Sequence, residues 1–173
     1  MTEKHASEKL VTAYERMMER MRHGLELAEQ KTAPAFEQAL SHARETAIAL
    51  GELTRDEAEK VGAYLKRDLQ DMAEYLEDTG EELGSWFHID LELIEARLLD
   101  LIGSVADQTR VELAQLRERA RSADLYHSGE VTGPGALRCT ACGQLIHLKR
   151  TAHIPPCPKC HAGGFERVRG PEA

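Results

Sequence analysis

Cys139, Cys142, Cys157 and Cys160 are the only cysteines of the chain, and they stand as C-x2-C, fourteen residues, C-x2-C. A C-x2-C turn aims two sulfurs at one point, and two such turns complete a tetrahedral thiolate shell. The chemistry this spacing points to is the binding of one structural Zn2+ per chain. A shell closed by four thiolates leaves no position for water or substrate, so such a metal holds structure and does not catalyse. Iron in a rubredoxin-type knuckle is the alternative metal. Three cysteines with His161, which adjoins Cys160, form the alternative ligand set; His147 and His153 are also near in sequence. Two disulfides in an exported module are the remaining alternative. Cysteines in metal spacing fit a reducing compartment, so cytoplasm is the expected location.

The sequence carries none of the common catalytic signatures. There is no glycine-rich phosphate loop, no G-x-G-x-x-G, no G-x-S-x-G and no H-E-x-x-H. No His follows a Glu by three residues, which removes the di-iron bundle pattern. His88, Asp90, Glu92 and Glu95 cluster in sequence, but they read as the solvated face of a helix. The expectation is a protein that is not an enzyme, with no catalytic residues.

The charge is divided along the chain. Up to His127 there are 16 basic and 27 acidic residues; beyond it there are 6 and 3, within a total of −8. An acidic body repels nucleic acid and anionic membranes. Only the tail, with Arg138, Lys149, Arg150, Lys159, Arg167 and Arg169, could meet a phosphate backbone. The plainer reading is that these bases keep a small module soluble and offset thiolate charge. No aromatic ladder accompanies them, and Phe165 is expected to pack beneath a knuckle. No run approaches eighteen apolar residues, so no membrane span is expected. The opening MTEKHASEKL lacks the apolar core of a secretion signal.

Helices must carry the first part. Seven of the 13 glycines and five of the 6 prolines fall after residue 127, leaving a helical composition before it. Val11, Tyr14, Met18, Met21, Leu25 and Ala28 step by threes and fours, which predicts a helix over about 3–31. Its stripe is rich in methionine (Met17, Met18, Met21), which suits an adaptable partner surface but is more often plain core. Pro34 ends or kinks this helix, or opens the next. Phe36, Leu40, Ala43, Ala47 and Leu50 form a second seam, with Gly51 as its stop. Thr54 and Glu57 form a capping box before a third helix striped by Val61, Leu65, Leu69, Met72 and Leu76. A fourth helix starts near Ser85, carries Trp86, Phe87, Leu91 and Ile94, and is bent or divided at Gly103.

The predicted fold is therefore mainly α: an acidic N-terminal helical hairpin or bundle, coiled-coil-like, over residues 1–125. A linker spans 126–135, around Gly133-Pro134-Gly135. A small zinc-ribbon β module spans 136–173, with strands at 136–138, 144–149 and 165–169. A module this small cannot bury enough apolar surface alone, so metal binding must supply its folding energy. With a linker between them, the two parts are expected to share little buried surface, so that Cys157→Ser would unfold the tail and leave the helices intact.

The pattern TRDEAEKVGAYLKRDL at 54–69, the Trp-led helix, YHSGEVTGPGALRCTACG at 126–143 and IPPCPKC at 154–160 resemble the YbeL-like zinc-ribbon proteins of proteobacteria. The resemblance covers about residues 10–169. It implies a helical region fused to a zinc ribbon, with Cys139, Cys142, Cys157 and Cys160 as metal ligands, and it implies no reaction. His161 stands where many knuckles place a glycine, and its neighbours Gly163 and Gly164 are expected to supply the missing backbone freedom. The functional expectation is an interaction or adaptor module: the helical seams bind a protein partner or a second copy, so an oligomer is possible. The alternative is a nucleic-acid-associated factor that uses the basic ribbon.

Overall fold

A computed structural model of the chain describes residues 2–27, 33–79 and 125–168. Over these residues run α1 (Thr2–Leu27), α2 (Ala33–Ala49) and α3 (Arg55–Thr79). They are followed by β1 (Leu125–His127), β2 (Val131–Thr132), β3 (Gly135–Cys139), β4 (Leu145–Leu148), β5 (Ala152–His153) and β6 (Gly164–Arg167). The expected fourth helix, Gly103 and the cluster from His88 to Glu95 lie outside the described residues, as does the balance they would add to a mainly α chain. What is described is three helices and an antiparallel sheet region.

Apolar spacing decides which faces of the helices turn inward. Tyr14, Met17, Met18, Met21 and Leu25 of α1 are fully buried, and so are Phe36, Ala43 and Ala47 of α2. Ala58, Val61, Leu65, Leu69 and Met72 of α3 join them in one core. Each large apolar side chain withdrawn from water contributes about 1.5–3 kcal/mol. The methionines considered as a partner surface are interior: an unbranched thioether fills the irregular gap between three helices. Small residues set the spacing of α1 and α2, since a Cβ placed on Gly24 would stand 3.3 Å from the Cβ of Ala39.

The helix ends follow local rules. Pro34 is the second residue of α2, where its missing N–H costs nothing. Gly51 closes α2 in the left-handed region, at φ 67. Its N–H donates to Ile48 O and that of Glu52 to Ala47 O, both at 3.0 Å, the paired bonds of a Schellman ending. Leu50, placed in the seam by its spacing, is instead 64% exposed, because the helix has already ended at Ala49. The capping box forms as expected: Thr54 N–H donates to Glu57 Oε2 at 2.8 Å, and Glu57 N–H to Thr54 Oγ1 at 3.3 Å.

The strands make a four-stranded antiparallel sheet in the order β1-β6-β3-β4 and a separate β2-β5 pair. β3, β4 and β6 stand where three strands were expected. The stretch 126–135, expected as a linker, is instead structured. Tyr126 pairs with Phe165 in the sheet, and Thr132 pairs with Ala152. The glycines there mark turns within the sheet region, because the apolar residues between them have distant partners. Tyr126 is buried in the ribbon cluster, and Val131 is buried in the helical core itself. Contacts of β2 with α1 and α3, and of β5 with α1, join the two parts. The expectation that they share little buried surface is corrected by this packing.

Candidate metal centre

Two turns deliver the sulfurs. The first leaves the end of β3 at Cys139 and returns into β4; the second lies between β5 and β6. Each is closed by the same pair of backbone bonds. Gly143 N–H donates to Cys139 O, and Cys139 N–H to Gln144 O, both at 2.9 Å. His161 N–H donates to Cys157 O, and Cys157 N–H to Ala162 O, again at 2.9 Å. The residue after each second cysteine must take a left-handed conformation to make these bonds. Gly143 does so at φ 72, and His161 does so at φ 60. The expectation that Gly163 and Gly164 relieve this position is therefore corrected, since His161 carries the strained angle itself. The two glycines serve close approach instead: a Cβ on Gly164 would fall 2.9 Å from Thr140 Oγ1.

The four Sγ atoms all lie within 4.8 Å of one another. Cys139 Sγ is 3.6 Å from Cys160 Sγ, and Cys142 Sγ is 3.6 Å from Cys157 Sγ. A tetrahedron with Zn–S bonds of about 2.3 Å has edges of about 3.8 Å, so the donor set fits Zn2+. The sulfurs are too far apart for disulfides, and all four cysteines are free. Among the described residues no histidine joins the cluster. Cys139 and Cys157 are buried, Cys142 half-buried and Cys160 exposed. Phe165 lies opposite Cys139 in the β3–β6 register and is fully buried in the cluster that holds both inner cysteines.

The electrostatics of the centre favour thiolate unevenly. Burial opposes charge on Cys157, but the amides of Cys160 and Lys159 point at its sulfur and draw the thiol down to about 6. At Cys160 the amide of Ala162 works downward, yet the sulfur of Cys142, partial desolvation by the neighbouring ligands, and the sulfurs of Cys139 and Cys157 push the thiol up to about 12. Backbone N–H groups aimed at a sulfur are what a metal thiolate needs to offset its charge.

A second constellation, a polar cluster between helices and ribbon, was not seen in the sequence. Asp68 of α3 is buried and accepts from Tyr14 OH at 2.6 Å, Thr132 Oγ1 at 2.9 Å and Gly133 N–H at 2.8 Å. Arg167 Nη2 reaches its other oxygen at 3.3 Å and also donates to Thr132 Oγ1. Arg167 further donates to Tyr126 OH at 3.2 Å and to Pro134 O at 3.1 Å. Tyr126 OH donates to Asp71, and its ring lies 3.7 Å from the Arg67 guanidinium and 4.7 Å from that of Arg167. Arg67 binds Glu130 at 2.7 Å. Burial, then the Asp68 carboxylate, hold the Tyr14 phenol well above its ordinary value, so it stays a donor. Burial works against the Arg167 charge, but Tyr126, Asp68 and Asp71 outweigh it and raise its pKa.

The signal for this cluster was present but weak. Asp68 falls on the α3 seam itself, three residues from Leu65 and four from Met72, where a bare charge has no place without a partner. Arg167, expected as a solvated base, is buried instead. Arg138 faces Glu166 at 3.9 Å, while Lys149, Arg150 and Lys159 are exposed. Arg169 lies outside the described residues. No helix among the described residues is long and apolar enough to cross a membrane.

The family described as zinc-ribbon containing domain matches residues 23–169. The chain is similar to the uncharacterized protein YbeL of Escherichia coli strain K12, with 30% identity over 128 residues, 74% of this chain and 79% of the relative. The YbeL proteins of strains O6:H1 and O157:H7 match to the same extent. No solved structure matches.

Proposed function

This chain belongs to the zinc-ribbon containing domain family, and from that premise we propose a non-enzymatic zinc-binding interaction module of the cytoplasm. Cys139, Cys142, Cys157 and Cys160 hold one Zn2+ whose role is structural. The carrying observation is the convergence of four sulfurs, and no other ligand type among the described residues, on one point. Such a shell has no open position for water or substrate. When bound, the metal supplies cross-linking of the two turns, which a ribbon cluster of this size needs in order to stay folded.

Protein contact is the reading we favour over nucleic acid. Arg167 is withdrawn into the interior, leaving Lys149, Arg150 and Lys159 as the exposed bases of the described ribbon, on a chain of net charge −8. The seams of α1, α2 and α3 pack against one another inside one chain, so protein contact or self-association through these helices is proposed for the faces they leave outward. The mainly α balance and the coiled-coil-like packing belong to the same proposal, supported by apolar residues at steps of three and four that face inward.

The test has three measurements on the full chain. Elemental analysis is expected to find one zinc per chain and no iron. Light scattering and crosslinking in native cells are expected to find a second copy or a specific protein partner. Binding to RNA or DNA is expected to be absent at physiological salt. Salt-sensitive binding that is lost on replacing Lys149 and Arg150 with Ala would transfer the function to nucleic acid.

A further inference from the structure

The ribbon and the helical core are joined by a buried latch, and the ribbon residues of the latch lie close in sheet register and sequence to the cysteine turns. Asp68 has four donors among the described contacts, and three of them, Thr132, Gly133 and Arg167, come from the ribbon. Only Tyr14 comes from the helices. Arg167 is placed by the β3–β6 register, in which Leu137 lies opposite Arg167 and Cys139 opposite Phe165. A ligand cysteine is thus two register positions from the latch arginine. Thr132 is placed by its pairing with Ala152 of β5, five residues before Cys157. Val131, next to Thr132, is part of the helical core. If the turns loosen, the sheet register loosens with them, and Asp68 keeps the Tyr14 hydroxyl and, at 4.0 Å, the Arg67 Nε in an interior site. A buried carboxylate stripped of three of its four hydrogen-bond donors must be hydrated, which opens α3 at that point.

We infer that metal occupancy at the four cysteines controls the docking of the ribbon on α1 and α3 through the Asp68–Arg167 latch. The protein is then a metal-gated device: with metal the helical core is closed by β2, and without it the inner faces of α1 and α3 around Tyr14, Asp68 and Asp71 are released to water. This rests on the zinc reading above. It adds that the metal state is felt by the helices, beyond the ribbon that binds it, as linkage requires when only the docked form binds metal well.

The experiment is amide hydrogen exchange by mass spectrometry on the full chain, zinc-loaded, then treated with EDTA, then reloaded with zinc. The released metal is counted with a chromophoric chelator. Exchange in the α3 peptide around Asp68 is expected to rise by about tenfold or more on chelation and to recover on reloading. Arg167→Met, which leaves every cysteine in place, is expected to bind one zinc at saturating metal but with lower affinity than the unmodified chain, to show fast α3 exchange from the start and to respond to EDTA by less than about twofold. If zinc leaves, the ribbon amides lose protection and the α3 amides of the unmodified chain do not change, the latch is overturned while the zinc reading stands. If the purified chain holds no metal at all, the zinc reading falls and the latch falls with it.

Discussion

Arg167 of β6 reaches Asp68 of α3 at 3.3 Å across 99 positions of sequence, and each side chain is 1% exposed. Neither charge could be buried by itself. Together, with Tyr14, Thr132, Gly133, Tyr126 and Pro134 filling the remaining hydrogen-bonding positions, they bind the last strand of the ribbon to the third helix.

Breaking this pair from one side leaves an uncompensated charge in the interior. Arg167→Met is expected to destabilise the zinc-loaded chain by about 3–5 kcal/mol. Adding Asp68→Leu should restore part of that loss, because the two charges are then removed together. Urea unfolding followed by far-UV circular dichroism measures both. A single-variant loss under about 1 kcal/mol, the range of a surface pair, would deny the pair a structural role.

His161 holds a left-handed angle that its partner turn gives to Gly143. Left-handed backbone costs an L-residue roughly 1–2 kcal/mol, less for His than for bulkier types, while Gly loses more entropy on folding. His161→Gly is therefore expected to stabilise the ribbon slightly, by about 0.5–1 kcal/mol. Gly143→Val should destabilise it. The zinc-loaded melting temperatures of the two variants are expected to move in opposite directions.

The thiols differ in how readily they give up protons. Cys157, near 6, is already largely thiolate at pH 7, whereas Cys160, near 12, is protonated there. Coordination requires the thiolate. Zinc binding at pH 7 is thus expected to release at least the Cys160 proton. Titration calorimetry in two buffers of different ionisation enthalpy reads that number directly; equal heats in the two buffers would contradict it. Cys157→Ser is expected to abolish tight zinc binding.

Glu52 receives Arg20 through two bonds of 2.8 Å and Arg16 through one of 3.0 Å. The Arg20 bonds hold its carboxyl below the usual range, against the opposing effect of burial. A depressed acid contributes stability that is present above the unfolded-chain value of about 4.3 and lost as pH falls through the lower folded value. Glu52→Gln is expected to cost roughly 1 kcal/mol at pH 7. It should cost almost nothing near pH 2, where the native carboxyl is protonated too. Denaturant midpoints at the two pH values test the sign.

Much of the local architecture was legible before any coordinates. Thr54 and Glu57 announced the start of α3, Gly51 the end of α2, and steps of three and four residues named the inward faces of α1 to α3. The cysteine spacing located four sulfurs that do converge within 4.8 Å. These features depend on neighbours a few residues apart or on paired turns, and short-range geometry can be read along a chain. Two matters were decided only by the tertiary structure: the docking of 125–135 onto the helices and the burial of Arg167. Each depends on what a residue meets from a distant part of the chain. A charge at position 167 reads as solvated until a carboxylate 99 residues away is found beside it, since the cost of burying a charge vanishes from local sequence and is settled by its partner.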